Sequence, residues 1–138
     1  MNTHMESMDH AGALLSRISA QQELPERALT AAREALRRTW QEEQEHSTTV
    51  LRGYRPTAFI LRVERQELVF RHDWRTVPFV RTHVGLYLRD PERRSQELAA
   101  GYYLFDTDPQ GTVVDDWLVP DIPRMGGPAG RAQQDEPQ

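Results

Sequence analysis

The hydrophobic rhythm of this chain changes once. Through the first third, apolar positions recur every three to four residues; from Thr57 onward they recur every second residue. Asp9 reads as the cap of a first helix with Ala13, Leu14, Ile18 and Ala20 on one side, preceded by a polar lead over residues 1–8. Pro25 opens a second helix whose stripe, Ala28, Leu29, Ala32, Ala35, Leu36 and Trp40, keeps a period of 3.6. Its end, Gln41-Glu42-Glu43-Gln44-Glu45-His46, puts acids at the negative pole of the helix and reads as a solvated terminus.

Alternation then predicts three strands: residues 59–63, residues 68–72 and residues 80–88. The short links between them, residues 64–67 and 74–78, make neighbouring strands antiparallel. Asp90-Pro91-Glu92 has the order of a cap, a first helical residue and an acidic first turn, which predicts a short helix over residues 91–98 with Gly101 as its stop. A hairpin closes the domain. Residues 102–105 and 113–119 flank Asp108-Pro109-Gln110-Gly111, in which Pro109 presets a type I turn and Gly111 supplies a residue at positive φ. After Pro120 the Pro/Gly-rich, then polar, residues 121–138 are expected to contribute nothing to a core.

These elements predict an α+β domain over residues 9–120, with two helices on one face of a five-stranded, mainly antiparallel sheet. The order of helix followed by meander resembles the cystatin-like or nuclear-transport-factor-2-like layout, and the resemblance implies that layout alone.

Composition narrows the chemistry. The 138 residues suit one domain; the net charge is −4, and every one of the 17 cations is Arg. An acidic total argues against nucleic acid as a partner. There is no Cys, hence neither a disulfide framework nor a thiolate metal site, and the five His show no HxH or HxxxH spacing. No cofactor is expected. No Ser elbow, P-loop or GxGxxG occurs. Residues 1–10 lack the basic and apolar regions of a secretion signal and no apolar run reaches a membrane span, so the expectation is a cytoplasmic protein, its all-Arg usage fitting a GC-rich bacterium.

Two candidate sites follow from strand parity. The face opposite the core collects Arg62, Arg71, Arg81, His83, Tyr87 and Arg89, residue types that serve either a solvated face, a protein interface (with another protein or a second copy) or an anion site. Asp115 and Asp116, adjacent in a strand, must point to opposite faces. One is expected to pair with Arg71, Arg81 or Arg89. The other, facing the core beside His72, is the place where an acid/base pair of a small enzyme could sit in a pocket between helices and sheet.

Overall fold

The computed structural model describes residues 3–46, 49–70, 73 and 75–123, the first seven of them by backbone alone. Two helices, α1 (Thr3–Gln21) and α2 (Leu24–His46), precede four strands: β1 (Ile60–Val69), β2 (Phe79–Arg89), β3 (Glu97–Thr107) and β4 (Val113–Pro120). The strands form one antiparallel meander in the order β1-β2-β3-β4, and the helices cover one face. This is the predicted α+β class with one strand fewer.

The helical stripe packs as its period requires. Ala28, Ala32, Ala35 and Leu36 are buried against Val80, Val84, Leu86, Leu88, Tyr103 and Phe105 of the sheet. Alanine on this face lets α2 lie close to the strands, and Arg33 ties it to the approach to β1 through the carbonyls of Pro56 (2.6 Å) and Phe59 (3.1 Å). The helix end is less solvated than its composition predicts. Glu43 turns inward, is 5% exposed and accepts the amide of Leu51 across the connection to the sheet. Burial pushes this carboxyl above the ordinary glutamate range, against the opposing pull of the Leu51 amide. The folded state therefore binds the Glu43 proton more tightly than the unfolded chain does. That contribution is complete in acid and is lost as pH rises through the folded pKa. Glu43→Gln keeps an acceptor for Leu51 and does not titrate. It should match the parent near pH 4 and melt higher than the parent at neutral pH, as read by thermal unfolding across that range.

Four predicted elements differ. α1 begins at Thr3, so residues 3–8 are helical and Asp9 lies within the helix instead of capping it. The first two strands are one. β1 runs unbroken from Ile60 to Val69, and the polar stretch expected to turn between them holds a β-bulge where pairing shifts between Val63 and Arg65. The bulge absorbs one residue and returns Leu68 to the core face, opposite Val80. The helix over residues 91–98 is absent. Residues 91–96 are bends and turns, with the Asp90 side chain capping the Glu92 amide at 2.9 Å, and β3 starts at Glu97. The segment after β4 joins the core: the Asp121 amide bonds the Ala100 carbonyl at 2.9 Å and Ile122 is 7% exposed. Residues 124–138 lie outside the described residues.

The final hairpin forms as predicted. Gly111 sits at φ +90, its amide bonds the Asp108 carbonyl at 3.0 Å, and the Asp108 side chain accepts the amides of Gln110 and Thr112, each at 2.9 Å. The loop is also clamped to α2, because Arg27 donates to the Gly111 carbonyl at 2.6 Å. A Cβ at Gly111 would come within 2.3 Å of the Gln22 side chain. Gly111→Val should therefore cost more than about 1 kcal/mol in urea unfolding, through backbone strain and the displaced clamp.

Candidate protein-contact face

Because β2 is central and helices cover only one side, every second residue of the sheet faces outward without a covering layer among the described residues. The register arranges these outward side chains in rows across the strands. Glu67, Arg81, Asp106 and Asp115 make one row. Arg65, His83, Leu104 and Trp117 make the next, followed by Arg62, Gly85, Tyr102 and Val119, then Ile60, Tyr87 and Ala99. The β1–β2 half is charged; the β3–β4 half carries Asp106 and Asp115 at one end and is apolar beyond them, with Tyr102, Trp117 and Val119 between 36% and 44% exposed.

Of the residues chosen from sequence, Arg62, Arg81, His83, Tyr87 and Arg89 all lie on this face, while Arg71 and His72 fall outside the described residues. They do not form one patch of equivalent cations. Arg62 pairs with Glu97 and lies over the Tyr87 ring, 5.0 Å from its centre. Arg89 donates to the Arg94 carbonyl at 3.2 Å, securing the β2–β3 connection. His83 Nε2 lies 2.5 Å from the Glu67 carboxylate. Tyr87 donates its hydroxyl to Glu64 at 2.7 Å, and that bond, more than burial, pushes the phenol pKa up.

Arg81 has a different task. Its Nε and Nη2 grip the two oxygens of Asp106, each at 2.9 Å, while Arg75 from the β1–β2 connection reaches the same carboxylate at 2.6 Å and Asp115 at 3.4 Å. The Asp106 side chain is fully buried. Both guanidiniums stack between Phe79 and Trp117, with the Arg75 carbon 4.3 Å from the centre of the Phe79 ring and the Arg81 carbon 5.4 Å from that of Trp117. The carboxylate raises the Arg81 pKa through its hydrogen bonds. This assembly closes one end of the face and fixes its shape. For Asp106, parity with Tyr102 and Leu104 was the available signal in the sequence.

Asp115 and Asp116 do point to opposite faces. Asp115 pairs with Arg75; of the expected partners, Arg81 and Arg89 do not reach it and Arg71 lies outside the described residues. Asp116 accepts the Tyr103 hydroxyl at 2.7 Å and lies 3.9 Å from Arg38. Burial and that bond to Asp116 raise the Tyr103 phenol. Asp116 is thus a partnered, partly exposed carboxylate at the sheet edge. The groove where α1 and α2 meet β1, about 750 Å³, is lined by Ser19, Glu23, Glu26 and Gln66 among others, and neither aspartate borders it.

The sheet edges are blunted. The Asp121–Ala100 bond sets the alternation along β4, so the backbone groups of Asp116, Leu118 and Pro120 point away from β3. Of these, Pro120 has no N–H and the Asp116 amide is held by the Asp115 side chain at 2.8 Å. On the other edge, β1 carries its bulge and a run of charges. Neither edge invites an added strand.

Among the described residues, no cluster of His, Asp and Glu could hold a metal ion, and no helix is long and apolar enough to cross a membrane. No family model, no curated protein and no solved structure matches this chain.

Proposed function

We propose that this protein is a small non-enzymatic accessory module, in a bacterial cytoplasm, that binds another protein through the uncovered face of its sheet. The observation that carries the proposal is the combination of blunted edges with an open face. Exposed Tyr102, Trp117 and Val119 adjoin rows of guanidiniums already fixed by partners. Fixed arginines and aromatic rings lose little entropy on contact, and such groups are the usual anchors of protein interfaces. Charges of both signs stand in the same rows, which disfavours a purely anionic ligand such as nucleic acid.

The test is the double replacement of Tyr102 and Trp117 by Ala. Association should weaken by at least about 2 kcal/mol; because Trp117 also packs on Arg75 and Arg81, thermal melting must show that the double variant is folded at the temperature of the binding measurement. Unchanged association, measured by light scattering for self-association and by calorimetry against any identified partner, would return the face to ordinary solvated surface.

A further inference from the structure

The β1 bulge inserts Glu64 as an extra residue between the Val63–Val84 and Arg65–His83 pairs. One pair further on, Gly85 of the central strand β2 stands between Arg62 and Tyr102. A glycine inside a strand weakens it, and Gly85 has no positive φ that would require one. Its bare backbone leaves a well on the open face, and the Glu64 carboxylate fills it. A Cβ at Gly85 would collide with Glu64 Oε1 and stand 2.8 Å from the Tyr87 ring. The Tyr87 hydroxyl holds the carboxylate there at 2.7 Å. Beside it lies a cleft of about 370 Å³, lined by Glu64, Arg65, His83, Val84, Tyr102 and Leu104. The charges around this cleft sort into pairs with one left over. Arg65 and His83 share Glu67, and Arg62 is taken by Glu97. Among the described residues, Glu64 has the neutral Tyr87 hydroxyl alone.

We propose that this cleft binds a small organic ammonium ion, a protonated primary amine carried on an apolar alkyl or aryl body. The ammonium meets the Glu64 carboxylate, which keeps free lone pairs after accepting one bond from Tyr87. The Tyr102 ring, 44% exposed and paired across the strands with Gly85, offers its face to the same cation. Leu104 receives the apolar body. A cleft of this volume lies at the small end of ligand sites, which suits one ring or a short chain. An anion finds a poorer welcome. Arg65 and His83 already serve Glu67, and the uncompensated charge of Glu64 repels it. The site goes beyond the protein-contact reading and does not depend on it, because one copy of the chain supplies every group.

The experiment is a nuclear magnetic resonance titration of the full chain at neutral pH, with 2-phenylethylammonium as the probe. Two controls carry the same ring, 2-phenylethanol without the charge and phenylacetate with the opposite one. The amine should give saturable amide shifts at Glu64, Gly85 and Tyr102, and each control should bind at least about tenfold more weakly. Glu64→Gln keeps an acceptor for Tyr87 and removes the charge. It should weaken the amine by about tenfold or more, with thermal melting establishing that the variant is folded. Tyr102→Leu keeps an apolar wall without the ring and should weaken it by about threefold. The probe series on the parent needs no variant to fold. Absence of saturable shifts at the solubility limit of the amine overturns the proposal. Equal binding of 2-phenylethanol also overturns it, by reducing the cleft to an apolar recess. A folded Glu64→Gln variant that keeps the parent affinity does the same.

Discussion

Asp106→Asn should destabilise the domain by about 3 kcal/mol in urea unfolding at neutral pH, although it changes one atom on a single side chain. The carboxylate is fully buried and is the common acceptor of Arg75 and Arg81. An amide removes the charge that holds two guanidiniums side by side and turns one acceptor into a donor facing another donor. Phe79 and Trp117, which sandwich the arginines, limit the escape of either head group into water. Asp115→Asn is the natural comparison. That carboxylate is 46% exposed and touches Arg75 at 3.4 Å, so its loss should cost no more than about 0.5 kcal/mol. Equal effects at the two positions would show that the cluster is a surface feature with no structural weight.

The second large effect is expected at Gly101. Pairing between β2 and β3 slips there, with Ala100 inserted between the residues that face Leu86 and Tyr87. Gly101 takes φ +125, and a Cβ on it would stand 2.2 Å from the Val119 carbonyl oxygen and 2.8 Å from the Asp121 amide. Both obstacles are backbone, so no rotamer change relieves them. Gly101→Ala should cost about 3 kcal/mol or more and loosen the β3–β4 pairing. Hydrogen exchange at the amides of β4 should rise well before that of β2, whereas protection unchanged in β4 would mean that the strand pairs without this bulge.

The same glycine shows where sequence reading succeeds and where it stops. Asp108 to Gly111 are legible because a four-residue turn is determined by its own residues, and the α2 stripe is legible because burial repeats with the helix. Gly101 reads as a helix stop only if Asp90-Pro91-Glu92 begins a helix. A capping sequence without enough residues to propagate yields a bend, so Gly101 serves a strand instead. The polar run Glu64-Arg65-Gln66-Glu67 reads as a turn because alternation fails there. A bulge produces the same failure and lets the strand continue. The face itself is legible by parity, which puts Arg62, Arg81, His83, Tyr87 and Arg89 together. The Arg75–Asp106–Arg81 cluster is not, since Asp106 lies 31 and 25 residues from its two arginines in the chain and meets Arg75 only when the β1–β2 connection folds over the sheet.

The Ala-rich stripe of α2 also bears on how the chain behaves while it is being made. Synthesis delivers both helices before any strand exists to cover them, and the sheet that completes the core ends near Ile122. During that wait the helix shows Ala28, Ala32 and Ala35 where many amphipathic helices would show Leu or Phe. Methyl groups offer little adhesive area, so the nascent helix has a weak tendency to stick to other chains. Once the strands emerge, each pairs with the one just before it, and the meander can zip up through short-range loops without waiting for distant partners.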